Sequence, residues 1–315
     1  LTGFAALLID RDQARARLAV GMGARAAYGP DWLGPRLGMR PWRWVAGLSL
    51  GMCAGTKWSG LYFIVAFGLM TVWWDVGARR AAGVRHYWFA GLFKYGPAAF
   101  VAFVGAAVLS YCLSWVGWFR SSVGYNRLWA ESNPAAPGWG WLPPSVRSWW
   151  NLHAQILDFH RGLSAPHDYQ SGPWSWIVLG RPTSMFAEYP KLGEDGCTVD
   201  MCAKVINPVG TPTIWWVGVA ALFVMAFRWA LARDWRAGAI LAGYAGGYFP
   251  WFFLGERTIY QFYAVSFVPW LVLGVTYLCG LVLGGPTVSR RRRVIGVSWV
   301  GGYLVLTVLV FAWFL

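Results

Sequence analysis

The sequence predicts an all-α integral membrane protein with one long loop outside the bilayer. Of its 315 residues, 57% are hydrophobic and only 13% are charged, whereas an average soluble domain carries roughly 25% charged residues. The mean hydropathy of +0.43 and the 24 tryptophans are typical of membrane proteins with aromatic belts. A disordered protein is therefore excluded, and an ordinary soluble enzyme is disfavoured.

The formal net charge of +14 indicates membrane topology rather than nucleic-acid binding. The basic residues form short clusters between apolar runs and do not follow one amphipathic face. We therefore expect contacts with membrane lipids and no nucleic-acid partner.

The apolar runs predict one partial and seven further membrane helices, since a helix needs about 20 apolar residues to cross a bilayer. Residues 1–9 form an apolar run that Asp10 ends, without an initiating Met or the features of a signal peptide. We therefore expect the chain to begin inside a transmembrane helix. The seven further segments are 41–56, 58–75, 95–117, 213–232, 237–255, 258–284 and 294–315.

The basic clusters set the orientation of these segments. Four clusters, at 10–43, 75–94, 228–236 and 290–293, hold 18 of the 27 basic residues. Placing all four in the cytoplasm lets every segment alternate correctly and puts the loop 118–212 outside. The chain then consists of transmembrane helices in 1–117, an outer Trp-rich loop in 118–212 and C-terminal transmembrane helices in 213–315, in a cell membrane protein.

Two further cations lie outside both the cytoplasmic clusters and the loop. Lys57 and Arg257 are predicted at the outer ends of helices. Either they extend to lipid headgroups, or they form a pair that holds a phosphate at the outer leaflet, because Arg and Lys neutralise phosphate oxygens.

The outer loop has a composition that suits a sugar. Its tryptophans either lie at headgroup level or offer flat faces to sugar rings. The segment 167–176 combines an imidazole, a carboxylate, a phenol, an amide, two hydroxyls and two indoles. No metal is expected, because the spacing of His153, His160 and His167 is a weak zinc pattern. The eight tryptophans of the loop are Trp118, Trp129, Trp139, Trp141, Trp149, Trp150, Trp174 and Trp176.

The cysteines divide between loop and helices. Cys197 and Cys202 are the two in the loop, where an oxidising compartment favours a disulfide between them. The other three fall in apolar segments and are expected to behave as small hydrophobic residues. No nucleotide-binding motif is apparent, so a sugar donor would be lipid-linked, and we expect no cofactor.

Nine stretches carry a family resemblance: 56–61, 124–130, 141–143, 147–150, 159–160, 167–176, 181–182, 210–216 and 256–263. Together they resemble protein O-mannosyltransferases, most closely the actinobacterial members, over nearly the whole chain. The sequence departs from the family pattern at Asp168, where Pro is usual, and at Gly172.

The resemblance implies a glycosyltransferase of the C-type fold, a multi-helix transmembrane bundle with a long outer loop. Such enzymes transfer mannose from polyprenyl-phosphate mannose (or dolichyl-phosphate mannose) to Ser or Thr hydroxyls of exported proteins, with inversion. The expected partners are this donor, secreted polypeptides and, as a candidate, the secretion translocon. We assign the donor phosphate to Lys57 and Arg257. Sugar or acceptor binding is assigned to His167, Tyr169, Gln170, Ser171, Trp174 and Trp176.

The catalytic base is left open. In the family it belongs to an Asp-Glu pair in the first outer loop, which the predicted topology places before Leu1. A 315-residue chain without that pair is expected to be inactive. The alternative carboxylates are Glu131, Asp158, Asp168 and Glu256.

Two other functions compete with mannose transfer to protein. A transporter or flippase of a lipid-linked substrate would need ionisable residues at mid-membrane, and the predicted helices contain essentially none. A related transferase acting on a lipid or glycan is disfavoured by the segment 167–176.

Overall fold

The computed structural model describes residues 1–25 and 33–314, and within these ranges the protein is mainly helical. The chain divides into two compact units, Leu1–Gly162 and Leu163–Leu315. The predicted all-α membrane fold is confirmed, whereas the three-part division about the bilayer stays a prediction. Among the described residues, four helices are long and apolar enough to cross a membrane: Gly60–Ala81, Gly96–Ser114, Pro212–Ala232 and Arg290–Trp313.

The first unit is built from helices and short helical turns. Proline at the start of α2 suits a position whose N–H has no helical partner. Its elements are α1 (Thr2–Arg25), α2 (Pro41–Thr56), α3 (Gly60–Ala81), α4 (Tyr87–Phe89), a π-helical turn (Ala90–Lys94), α5 (Gly96–Phe100), a second π-helical turn (Val101–Gly105), α6 (Ala106–Ser114), α7 (Val116–Arg120), α8 (Trp129–Ser132) and α9 (Pro144–Gly162).

The predicted end of the first segment at residue 9 is wrong, because α1 continues to Arg25. Asp10 does not break the helix, since its carboxylate is 3% exposed and bonded to two arginines. Arg40 Nη2 lies 2.6 Å from Asp10 Oδ2, and Arg43 Nη2 lies 3.2 Å from the same oxygen. A charge that is paired inside the protein is compatible with a helix that continues past it.

The same two arginines bind a second carboxylate, Asp75 of α3. Arg40 Nη1 lies 2.8 Å and Arg43 Nη2 3.2 Å from Asp75 Oδ2. Burial works against the charge of Arg40, but the carboxylates of Asp75 and Asp10 outweigh it and hold the pKa of Arg40 above its ordinary value. We call Asp10, Arg40, Arg43 and Asp75 the ion cluster; it ties α1 and α3 to the start of α2.

Helix α2 also packs closely against α6, because glycines face it. A Cβ at Gly47 would lie 2.2 Å from the carbonyl oxygen of Phe103, and one at Gly51 would lie 2.1 Å from that of Ala107. Any side chain at these positions would push the two helices apart.

The second unit begins with an irregular segment and ends with an aromatic helical bundle. In its core, Phe267 packs against Trp215, Tyr244 and Tyr248, with ring centroids 5.0–5.6 Å apart. The elements are α10 (Pro173–Trp176), β1 (Phe186–Glu188), β2 (Lys204–Ile206), α11 (Pro212–Ala232), α12 (Trp235–Tyr248), a 3-10 helix (Phe249–Leu254), a second 3-10 helix (Gln261–Ser266), α13 (Val268–Leu283) and α14 (Arg290–Trp313).

The helix ends of this unit follow capping rules. Asp234 caps α12 by accepting a hydrogen bond from Arg236 N at 3.0 Å. Arg292 Nη1 donates to the carbonyl of Val282 at the end of α13 (2.7 Å), which suits a cation at a helix C-terminus. The predicted segments 237–255 and 258–284 are not single α-helices, since each contains a 3-10 stretch.

We predict that Asp10→Asn strongly destabilises the protein, because it leaves Arg40 and Arg43 with one carboxylate between them. Breaking a buried ion pair costs about 3–5 kcal/mol, which thermal unfolding in detergent would register as a lower Tm. The matched control is Asp200→Asn, an exposed carboxylate close to Cys202 in the sequence, because surface substitutions usually change stability by less than about 0.5 kcal/mol. Equal Tm values for the two variants would contradict the role of the ion cluster.

Candidate functional site

The segment 163–172 lies in the second unit and is held by the residues that follow Arg257. Thr258 N donates to the carbonyl of Leu163 at 3.0 Å, and Thr258 Oγ1 donates to that of Ala165 at 2.5 Å. Ser171 N donates to the carbonyl of Ile259 at 3.0 Å. The structure thus brings together two of the stretches that carry the family resemblance, 167–176 and 256–263.

A buried tryptophan anchors the next part of this segment. Trp176 is 0% exposed, and its Nε1 donates to Ser171 Oγ at 3.0 Å. Its own carbonyl accepts from Trp215 Nε1 at 2.8 Å, and the carbonyl of Pro173 accepts from Tyr248 OH at 3.0 Å. Two predicted sugar-binding residues, Ser171 and Trp176, are therefore buried here and hold the segment to the bundle.

The exposed side of the segment forms an open pocket of ≈ 560 Å³. The ring of His167 meets that of Tyr260 edge-on at 5.2 Å. Nδ1 of His167 accepts a hydrogen bond from Tyr169 N at 3.2 Å, so Nε2 carries the proton in the neutral ring. Arg181 donates to the carbonyl of Asp168 through Nη2 (2.6 Å) and Nε (3.1 Å). The lining residues are Pro166, His167, Asp168, Gln170, Ser171, Gly172 and Arg181.

The pocket offers the mixture of donors and acceptors that sugar hydroxyls need. It combines an imidazole, a carboxylate, an amide and a guanidinium on a backbone fixed by hydrogen bonds. Trp174 is 73% exposed, and only its edge-on contact with Phe252 (4.8 Å) holds the ring among the contacts described. Tyr169 is half-buried beside His167, with ring centroids 6.0 Å apart.

The two predicted phosphate-binding cations belong to different units. Lys57 is exposed in the first unit, where it ends α2. Arg257 is half-buried in the second unit and directly precedes Thr258. Thr258 holds the start of the segment 163–176, which we call the pocket segment. The prediction that both face one cavity stays a prediction.

The four alternative carboxylates are all exposed, and Asp168 alone among them lines the pocket described above. Among the described residues, no group of three or more His, Cys, Asp or Glu side chains is arranged to hold a metal ion. The four carboxylates are Glu131, Asp158, Asp168 and Glu256.

A disulfide-closed hairpin follows the pocket segment. Strands β1 and β2 pair antiparallel, with Ala187 opposite Val205. Cys197 and Cys202 form a disulfide with a Cα–Cα distance of 5.8 Å. The cross-link closes the tip of the hairpin. Because a two-stranded hairpin is marginally stable on its own, we expect the disulfide to stabilise it.

Sequence reasoning did not select two residues of the site. Arg181 buttresses Asp168 and lines the pocket, and Tyr260 packs against His167. Both lie in stretches that carry the family resemblance, 181–182 and 256–263, and this resemblance is the sequence feature that could have identified them. Their role depends on contacts between residues 13 and 93 positions apart in the sequence, which no local pattern reveals.

The fold and site together define a multi-pass membrane protein. The family model for the C-terminal four TMM region of protein-O-mannosyltransferase matches residues 145–315. The chain belongs to the protein O-mannosyltransferase family.

Three relatives share the description polyprenol-phosphate-mannose–protein mannosyltransferase. The Mycobacterium tuberculosis H37Rv protein is 35% identical over 321 residues, covering 99% of this chain and 60% of the relative. The Mycolicibacterium smegmatis MKD8 protein is 36% identical, covering 99% and 61%. The Corynebacterium glutamicum ATCC 13032 protein is 32% identical, covering 97% and 59%. The chain thus spans about three fifths of the length of these relatives.

A solved structure is also similar, the Saccharomyces cerevisiae protein O-mannosyltransferase Pmt1-Pmt2 complex bound to the sugar donor. The similarity has a TM-score of 0.41 and 18% identity, and it covers 54% of this chain and 24% of the yeast chain.

We predict that the Cys197–Cys202 disulfide forms in protein isolated from intact membranes. A proteolytic digest analysed by mass spectrometry without reduction should contain the loop peptide lighter by two hydrogens than after reduction. Cys112 provides an internal control, because it is a free cysteine that alkylates once the protein is denatured. Alkylation of both loop cysteines without reduction would refute the cross-link.

Proposed function

We propose that the protein transfers mannose from polyprenyl-phosphate mannose to Ser or Thr hydroxyls of exported proteins, with inversion at the anomeric carbon. The observation that carries the proposal is the match to relatives of that description across 97–99% of this chain. The open polar pocket beside the exposed Trp174 supports it, because such a surface suits a sugar and its polypeptide acceptor.

The charge distribution supports an extracytoplasmic active site. The loop 118–212 holds seven basic and seven acidic residues, whereas the four basic clusters lie elsewhere. The Cys197–Cys202 disulfide also suits an oxidising compartment. We therefore place the pocket and the hairpin on the outer side, where exported polypeptides and, as a candidate partner, the secretion translocon meet the membrane.

In this proposal the protein assists transfer in two ways. Lys57 and Arg257 stabilise the phosphate that leaves the anomeric carbon, since preorganised cations act most strongly where charge develops. The pocket of His167, Asp168, Gln170 and Arg181 orients the sugar or the acceptor chain, which lowers the entropic part of the barrier. The proton of the acceptor hydroxyl passes to a carboxylate that acts as general base.

The proposal is tested with the complete protein in membranes, supplied with polyprenyl-phosphate mannose and a Ser/Thr-rich peptide. Mannose should become O-linked to this peptide, and a peptide with Ala at every Ser and Thr should stay unlabelled. Lys57→Gln and Arg257→Gln should each lower kcat/KM for the donor at least tenfold, about 1.4 kcal/mol, because each removes a cation from the phosphate.

Lys191→Gln is the control for these variants, since it removes an exposed cation from the hairpin segment. It should leave donor kinetics unchanged. Mannose that reaches only lipid would overturn the proposed acceptor class, and unaltered donor kinetics in both cation variants would overturn their assignment.

We predict that His167→Ala lowers kcat/KM about tenfold without lowering Tm. The imidazole is exposed in the pocket, so its loss removes a substrate contact and leaves the buried anchor of Trp176 intact. Glu188→Ala, an exposed change in β1, controls for nonspecific effects. A folded His167→Ala variant with full activity would contradict the assignment of His167 to substrate binding.

A further inference from the structure

A chain of hydrogen bonds in the first unit links three side chains from separate parts of the sequence. Trp58 Nε1 donates to Tyr111 OH at 3.0 Å. The hydroxyl of Tyr111 lies 2.6 Å from His153 Nε2, and His153 Nδ1 lies 2.8 Å from the carbonyl oxygen of Trp149. We call Trp58, Tyr111 and His153 the relay.

The direction of every bond in the relay follows from the last one. A carbonyl oxygen only accepts, so Nδ1 of His153 carries a hydrogen and Nε2 of the neutral ring is an acceptor. Tyr111 therefore donates its hydroxyl hydrogen to Nε2 and accepts the hydrogen of Trp58 Nε1. Each polar atom in the relay has a partner, which is the condition under which a buried network fixes one geometry.

Aromatic rings surround the imidazole on several sides. The ring of His153 lies 4.2 Å from Trp149, 4.8 Å from Trp115, 5.7 Å from Trp58 and 5.8 Å from Tyr111, measured between centroids. These rings come from α9, from α6 and the residue that follows it, and from the turn after α2. The relay thus fixes three segments relative to one another within the first unit.

The residue at the end of the relay is the direct neighbour of Lys57. Lys57 N donates to the carbonyl of Cys53 (3.0 Å), and its own carbonyl accepts from Gly60 N (2.9 Å). The turn from Lys57 to Gly60 is tight, because a Cβ at Gly60 would lie 2.6 Å from Ala54 N. Trp58, which the relay holds through its indole, is therefore joined to Lys57 by a peptide whose neighbouring backbone is held on both sides.

We propose that His153 is a positioning residue for donor binding, acting through Tyr111 and Trp58 on the direction of the Lys57 side chain. The inference rests on the proposed role of Lys57 at the donor phosphate. It assigns a role to a histidine that lies outside the pocket and whose sequence context gave no metal site.

Protonation of His153 should break the relay. Burial among the rings lowers the pKa of His153, and the hydrogen bond to the Trp149 carbonyl opposes this shift only in part. The groups that face the ring are the phenol of Tyr111 and three indoles, with no charged group acting on it among the described residues. At pH values above the ordinary imidazole pKa, the ring of His153 is neutral and the relay is intact. The relay is lost as the pH falls through the lowered pKa of His153.

The decisive experiment is a double-mutant cycle in the complete membrane enzyme, with donor KM as the readout. Tyr111→Phe keeps the ring and removes the hydroxyl, so it should raise donor KM about fivefold, as expected for one lost hydrogen bond of about 1 kcal/mol, and leave acceptor KM unchanged. In the Lys57→Gln background the same change should have no further effect, because the two residues act in series. Tyr189→Phe, which removes an exposed phenol from the hairpin segment, is the control.

The outcomes separate the inference from the proposed function. If Lys57→Gln leaves donor KM unchanged, the phosphate role of Lys57 fails, and the inference fails with it. If Lys57→Gln raises donor KM but Tyr111→Phe adds its full factor on top, the relay does not act through Lys57 and the inference alone is overturned. Coupled effects support it.

A measurement on the unmodified enzyme covers the case in which Tyr111→Phe does not fold. Donor KM should rise as the pH falls below about 6.5, the ordinary imidazole pKa, because the pKa of His153 is lowered, while the phosphodiester of the donor keeps its charge. His153→Gln retains an acceptor for Tyr111, so it should recover donor KM relative to His153→Ala and lose the pH dependence. A pH dependence that persists unchanged in Lys57→Gln or His153→Gln would overturn the inference.

Discussion

A polar group buried among apolar helices has to find its partner within the protein, because neither lipid nor a packed core replaces the hydrogen bonds of water. In the first unit this constraint gathers the ion cluster, where two carboxylates and two arginines join α1 and α3 to the start of α2. In the second unit it gathers indole and phenol hydrogens on the carbonyls and hydroxyl of the pocket segment. These few polar contacts decide where otherwise featureless apolar helices meet.

Helix α2 connects the ion cluster at its start to Lys57 and the relay at its end. Arg43 lies in its first turn, and Lys57 follows its last residue, so 14 positions, or about 21 Å at 1.5 Å each, separate Arg43 of the ion cluster from the proposed phosphate ligand. Between them, Gly47 and Gly51 let α2 lie directly against α6, and α6 carries Tyr111 of the relay. The ion cluster and the relay therefore hold the two ends of α2, and the close contact with α6 holds its middle.

Apolar length alone predicts α2 and α11, whose bounds lie within one residue of the predicted segments. It fails at Asp10, because the partner that permits a charge there, Arg40, lies 30 positions away. It also fails within 258–284, where hydropathy does not distinguish a 3-10 stretch from an α-helix. The segment 167–176 is identified by its density of polar and aromatic groups, but the burial of Trp176 depends on contacts with Trp215 and Trp251, which local sequence does not contain.

In the second unit, hydrogen bonds join residues 163–171 to Thr258 and Ile259. This link bears on the proposed recognition of the donor. A glycosyl phosphate carries its phosphate on the anomeric carbon, so a cation for the phosphate and the polar groups for the sugar have to lie within a few ångströms of each other. Arg257 and the pocket are carried on two segments joined by three hydrogen bonds, which fixes their register. If Arg257 and the pocket act as proposed, loosening Thr258 disturbs phosphate and sugar recognition together, whereas truncating His167 disturbs only the pocket. The proposed donor site therefore depends on the link that these hydrogen bonds supply.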